Sequence, residues 1–378
     1  MSLVRPLSNV LRLESSHDNY AVQDNEEFMR TIIGRFAYLV QTAAVFLATL
    51  IFLTITATAQ QKSANDQITA GIVGLKQELK ALNLPQKTDE AYSRQIETAE
   101  KALESGCIYL SLEMLEQSWI MVKAYAYVGA RADVEKQGNE AFTREWQKVG
   151  KSITEIQSKL AAGESNLSPM IVRAFTDRER NSAPIYYISS KPYSENESIS
   201  AGLTYLGIAL GELDFAGFCK QIRFDDSRTQ PKLRSLEPEL SSLDAEVVKG
   251  FHQAEGSEKQ REFINVSASM KQAGEMNQAG RYNGALYQYL RTALLFGLIN
   301  AQPATAEQLP TLKQKIESLA AQLKSKKEAD HSIGQDYLES AERILAQKIP
   351  ADSDLKRVAV IADQVLPRYL RYLSEEKH

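Results

Sequence analysis

From residue 65 almost to the C-terminus, apolar side chains recur three and four positions apart and almost never alternate, so the chain is committed to amphipathic helices. Ala, Leu, Glu, Gln and Lys dominate these windows, and they lose little freedom in a helix. Turn-bounded β-branched segments are nearly absent, which leaves little from which to build a sheet. The expected fold class is all-α, made of antiparallel helical hairpins.

A second feature concerns location. Residues 36–61 form a run of 26 positions without a charged side chain. About twenty apolar residues cover a hydrocarbon core roughly 30 Å thick, so 37–56 is long enough for a membrane-spanning helix. The order is also that of a secretory signal: Arg30 and Arg35, then the apolar stretch, then Ala57-Thr58-Ala59 before Gln60. Two readings stand, an uncleaved transmembrane anchor or a signal peptide cut between Ala59 and Gln60. Met29 is an alternative start that would make the leader compact. In both readings the basic residues before the span and only Lys62 close after it put the C-terminal body outside the cytoplasm. The expected division is a polar, disordered segment at 1–36, a signal or anchor at 37–59, an N-terminal helical lobe at 60–230 and a C-terminal helical-repeat lobe at 231–378. The expected location is the cell envelope: the inner membrane if uncleaved, the periplasm or exterior if cleaved.

Four Arg and five acidic residues precede Gln60, which leaves 40 basic and 43 acidic side chains in the body. This near balance, without a Lys/Arg run or an aromatic-interleaved basic stripe, gives no electrostatic footing for a nucleic-acid partner. Cys107 and Cys219 are the only cysteines. An exported chain could join them in a disulfide, but both sit in apolar helical surroundings where free, buried thiols are the better expectation.

The periodicity predicts helices at Asn65–Leu84 (ended by Pro85), from a Thr88-Asp89 cap to Ser105, from Cys107 to Tyr127, and at Ala132–Ala162. Ile108, Leu112, Leu115, Trp119 and Val122 share one face of the third and are expected in the core. Ser168-Pro169 opens a short helix to Arg180. Ser182–Ser198, with Pro184 and Pro192, is expected to be a short extended piece or an aromatic loop carrying Tyr186, Tyr187 and Tyr193. Helix resumes at Ile199–Ile222, a polar boundary follows at Asp225–Pro238, and further helices are expected at 239–255, 257–279, 282–299, 304–326, 331–348 and 353–375, the last kinked at Pro367.

Ala99, Ala102, Gly106, Ile108, Ser111, Leu112, Leu115 and Ser118 stand at a constant offset of 174 from Ala273, Met276, Gly280, Tyr282, Ala285, Leu286, Tyr289 and Thr292. Each set reads as one helical hairpin: small residues for close approach, a glycine for the turn, a bulky residue two later to plug it. The run from Ala279 to Tyr289 resembles the turn and second helix of tetratricopeptide repeats. A weaker third copy can be placed with Leu206-Gly207 in its first helix, Asp214 at the turn and Cys219 in its second. The resemblance implies a superhelix whose first helices line a surface for a protein or peptide; an irregular helical bundle is the other architecture. Lys271, Asn277 and Gln278 would be its groove contacts, with Glu97, Glu100 and Glu104 on the other copy.

Catalytic and metal signals are not found. The four histidines, His17, His252, His331 and His378, lack partners at zinc-ligand spacing, and neither a metal nor a cofactor is expected. Gly150-Lys151-Ser152 resembles the end of a phosphate loop, but Glu145 replaces its first glycine. Asp225-Asp226 and Asp177-Arg178-Glu179-Arg180 read as surface charge. The expectation is a non-enzymatic, envelope-located scaffold for protein or peptide contacts. The alternative is an enzyme or small-ligand carrier with an inter-lobe pocket near 182–198, which clustered, buried, strongly shifted carboxylates would favour.

Overall fold

The computed structural model describes residues 63–161, 168–224, 229–253, 257–302, 304–325 and 329–374. Among them the regular elements are helices, with one isolated parallel β-bridge between Thr229 and Ala329. The segment 1–36, the apolar run and the Ala59-Gln60 step lie outside the described residues; no described helix is long and apolar enough to cross a membrane.

The chain passes through one order of elements twice. The first pass has α1 (Ala64–Leu82), α2 (Gln86–Glu104), α3 (Ile108–Gly129), short α4 (Ala132–Gln137), α5 (Asn139–Ala161), α6 (Met170–Asn196) and α7 (Ile199–Gln221). The second has α8 (Glu237–Gln253), α9 (Ser257–Gln278), α10 (Tyr282–Asn300), a 3-10 turn (Ala306–Gln308), α11 (Leu309–Ser325), α12 (Ser332–Leu345), and a last helix made of α13 (Asp352–Val360), a π turn (Ile361–Val365) and α14 (Leu366–Ser374). Packing follows the same plan in each pass. The first helix lies on the two after it, α3 packs on α7 as α10 packs on α13 and the π turn, and α5 covers α6 and α7 as α11 covers α12 and α13. The passes then cross over, since α6 packs on α10 while α12 packs on α3. Two hydrophobic clusters make up the core, a large one running from Ile68 to Leu373 and a smaller one from Val134 to Ala216, where α5 meets α6 and α7.

The 174-residue offset is reproduced in the hydrogen bonds. Gly106 and Gly280 take φ of +83° and +70°, the left-handed region that suits a residue without Cβ. Cys107 N–H reaches back to Ala102 C=O and Arg281 N–H to Met276 C=O, both at 2.9 Å, closing matched Schellman turns. Ala99, Ala102, Ala273 and Met276 are fully buried. Inside the first hairpin Ser118 Oγ donates to Gln95 Oε1 at 2.8 Å; at the equivalent positions in the second, Thr292 and Ser269 share a 2.7 Å hydroxyl bond.

Several boundaries differ from expectation. The second helix starts at Gln86, because Pro85 C=O accepts from the N–H groups of Thr88 and Asp89, which are therefore first-turn residues and not its cap. Gly138, at φ +83°, splits the helix expected at 132–162. Residues 182–198 are neither extended nor a loop, for α6 continues through both prolines. Pro184 lacks the N–H that would serve the Arg180 carbonyl, and Gln157 Nε2 of α5 donates to that oxygen at 3.0 Å instead. The third repeat copy is not a hairpin, since Leu206, Asp214 and Cys219 all lie within uninterrupted α7. At Pro367 the last helix stays continuous by shifting to π bonding over Ile361–Val365.

Candidate functional site

The middle of α6 is packed by α5, α7, α9, α10 and α12, so its side chains are enclosed on most sides whatever their polarity. Asp177, Arg178 and Glu179 fall there. They are 7, 5 and 1 % exposed, which overturns their reading as surface charge. Burial of this kind requires partners.

Asp177 Oδ2 accepts from Gly284 N–H in the first turn of α10 at 3.2 Å. Glu339 Oε2, on α12, accepts from Leu110 N–H in the first turn of α3 at 3.0 Å. Leu110 and Gly284 are themselves 174 residues apart, and Asp177 and Glu339 are each the eighth residue of their helix. Each pass therefore caps the hairpin of the other, placing a carboxylate at a helix N-terminus where the dipole favours it. The N-termini of α6 and α12 also meet. Asp330 accepts from Met170 N–H at 2.6 Å and from Ser332 N–H at 2.8 Å, and Ser332 Oγ accepts from Ile171 N–H at 3.0 Å.

Between these caps lies a group of ionisable side chains from both passes. Arg178 donates through Nε to Glu179 Oε1 at 3.1 Å and forms a close ion pair with Glu116 of α3. Its guanidinium lies 5.4 Å from the ring centroid of Phe175 and 5.2 Å from that of Tyr287 on α10. Burial opposes its charge, but Glu179 and its other acidic neighbours, Glu113 among them, outweigh this and hold the guanidinium protonated. Burial pushes the carboxyls of Glu179 and, much further, Glu212 upward; Glu179 adds to the shift of Glu212, while Ser182 and Arg178 oppose it. Burial also raises Asp336 strongly, with Glu113 and Glu339 adding like charge. Glu339 is raised to about 7 by burial, against the bonds it receives from Leu110 and Tyr109. Tyr287 and Tyr337, ring centroids 6.1 Å apart, are held protonated by burial and by Glu113 and Asp336.

Five of these groups present polar atoms without a hydrogen-bond partner among the described residues: Arg178 Nη1, Glu212 Oε2, Asp336 Oδ1, Tyr287 Oη and Tyr337 Oη. Such atoms are rare in native interiors unless water or a ligand serves them. The arrangement offers carboxyls whose burial favours the protonated form beside phenols, and therefore both donors and acceptors. Among the described residues no group of three His, Cys, Asp or Glu is placed to hold a metal ion.

The residues singled out in the sequence lie elsewhere. Lys271 and Gln278 are exposed, with Lys271 3.8 Å from Glu275. Asn277 is buried and structural, accepting from Leu236 N–H at 2.8 Å ahead of α8. Glu100 pairs with Lys76 at 2.5 Å. Tyr187 stacks on Trp146 at 4.7 Å, Tyr193 on Tyr205 at 4.0 Å, and Tyr186 packs 5.9 Å from Tyr205. Cys107 and Cys219 are free thiols, the second fully buried.

The fold and this interior define a class in general terms, an all-α protein of packed helix pairs with a polar junction inside it. Comparison with protein-family models, curated proteins and solved structures returned no match.

Proposed function

We propose that the chain is a non-enzymatic, envelope-located binding protein that holds a small polar ligand where its two passes meet. The observation that supports this is the convergence of unserved buried oxygens, from Tyr287, Asp336 and Tyr337, around the Arg178 ion pairs. Clustered buried carboxylates favour the small-ligand alternative over an open scaffold. The site differs in place from the one expected at 182–198, lying deeper along α6 and drawing on α3, α10 and α12 as well. The matched hairpins are read as divergent tetratricopeptide-like repeats, and residues 37–56 or a cut after Ala59 account for the envelope location. Native mass spectrometry of the full chain, purified from the envelope fraction, tests the reading. A bound non-protein mass that disappears on unfolding is expected. A bare polypeptide together with an interior filled only by water in a high-resolution structure would refute it.

A second reading, a scaffold for a protein partner, has its own support. Val248 and Phe251 of α8 and Ile264 of α9 are 48, 43 and 39 % exposed. At the equivalent positions of the first pass stand Gly74, Gln77 and Glu90. Phe251→Lys should abolish capture of a partner by crosslinking in the native envelope if that face binds one; unchanged capture removes this reading.

A further inference from the structure

Asn283-Gly284 is the one Asn-Gly step in the chain, and it falls in the first turn of α10, where the two passes meet. Such a step is chemically labile. The backbone nitrogen of the glycine attacks the asparagine Cγ, and a glycine has no Cβ to shield the approach. The new N–Cγ bond closes a succinimide, the side-chain nitrogen leaves as ammonia, and the peptide proton goes with it. Water then opens the ring at either carbonyl to give aspartate or isoaspartate, with neither oxidation nor reduction.

The fold holds this step shut. Gly284 N–H is one of the first-turn donors that an α-helix leaves without an internal partner, and Asp177 Oδ2 takes it at 3.2 Å. The next donor, Ala285 N–H, is bonded to Arg281 C=O at 2.9 Å. For the Gly284 nitrogen to reach Cγ, the peptide between residues 283 and 284 must rotate out of the helix, and both bonds are lost. The side chain itself is not tied down, since Asn283 Oδ1 is enclosed without a hydrogen-bond partner among the described residues. Gly284 is buried and Asn283 half-buried, so the same opening admits the water that hydrolysis needs. Tyr109-Leu110 stands at the equivalent positions of the first pass, which confines the lability to one of the two crossings.

We propose that Asn283 is a masked deamidation site, guarded by Asp177 and released when the junction between the passes opens. The product then opposes reclosure. Isoaspartate routes the main chain through its side-chain carbons and lengthens the first turn of α10 by a methylene. Either product also sets a new carboxylate next to the residue that Asp177 must cap, and like charges repel. An opening of the junction thereby becomes permanent, recorded as a covalent change at one position.

Full-length protein in mild detergent is held at mildly alkaline pH in heavy-oxygen water, and the peptide spanning residue 283 is followed by mass spectrometry. Folded wild type should deamidate far more slowly than the same chain unfolded in urea. Asp177→Ala should deamidate about tenfold faster than wild type or more, because losing a bond to a charged acceptor raises the open population by about that factor. Asn283→Gln should abolish the change. Circular dichroism checks that Asp177→Ala is folded; should it not be, wild type in urea below its unfolding transition takes its place, and its rate should climb with urea. An Asp177→Ala rate equal to or below that of wild type, or a wild-type rate indifferent to urea, would overturn the guarding role. Folded wild type reacting as fast as the unfolded chain would overturn the masking. Deamidated protein with an unchanged urea midpoint would overturn the claim that the product opposes reclosure.

Discussion

Asp177 and Glu339 occupy the same step of two different helices, and each closes the first turn of a hairpin belonging to the other pass, Asp177 at Gly284 and Glu339 at Leu110. Neither bond is local in sequence; the partners are 107 and 229 residues apart.

Removing the acceptor leaves a buried N–H unserved. Asp177→Ala should cost about 1–3 kcal/mol, and Asp177→Asn, which keeps an oxygen in place, clearly less. Gly284→Ala should cost a similar amount, because its Cβ would stand 2.6 Å from Asp177 Cβ and 2.7 Å from Met276 Sδ. Urea unfolding of the three variants measures all of these.

Glu339 makes stability depend on pH. Its carboxyl titrates near 4.5 when free and at about 7 when folded, so below 4.5 both states hold the proton. Between 4.5 and 7 only the folded state retains it, and its contribution declines as pH rises, to be lost above 7. The groups around it are the N–H donors of Leu110 and Tyr109, Gln335, and the acids Glu342 and Asp336. Glu339→Gln keeps an acceptor for Leu110 but has no proton to lose. Melting temperatures across this range should fall less with pH in the variant; identical slopes would remove Glu339 as their source.

Arg178→Met should be among the most damaging single changes, about 3–5 kcal/mol, since it strands Glu116 and Glu179 without their cation. Adding Glu179→Met should recover part of that loss. A Lys in place of Arg178 restores a charge but not a planar group with several donors, and should recover little. A double-mutant cycle in urea checks the coupling.

Glycines supply a matched pair of tests. At Gly211 a Cβ would lie 2.7 Å from Ile120 C=O, and at Gly207 it would lie 2.9 Å from Ala124 Cα, where α7 and α3 touch backbone to backbone. Neither neighbour can rotate away, so alanine at either position should destabilise by about 1–3 kcal/mol or more. Gly74 in α1 has no atom near its would-be Cβ, and Gly74→Ala should stabilise by roughly 0.5–1 kcal/mol. Thermal unfolding distinguishes the two signs.

What the sequence disclosed was local. The Ala99–Gly106–Ile108 pattern and its copy 174 residues later were readable because a hairpin writes its turn and its close contacts into neighbouring positions. Helix α6 was obscured by Pro184 and Pro192, whose loss of a helical donor is repaired at Arg180 by Gln157 on another helix, a remedy with no local signature. The interior charges were obscured for a related reason. Asp177 to Arg180 looks like a solvated run until α10 and α12 fold over it. Glu212 did carry a signal, as one of two acids in an otherwise apolar α7, where charge at a core position should have suggested a buried role. The leader from 37 to 59 lies outside the described residues, and its location argument still rests on the sequence.

Reciprocal capping has a consequence for how the body comes apart. Because the first turns of α3 and α10 are each completed by a carboxylate from across the junction, neither portion can loosen without undoing a turn in its counterpart. Melting should therefore be cooperative across both passes, and separating the chain between α7 and α8 should yield fragments whose missing pieces are found only in each other.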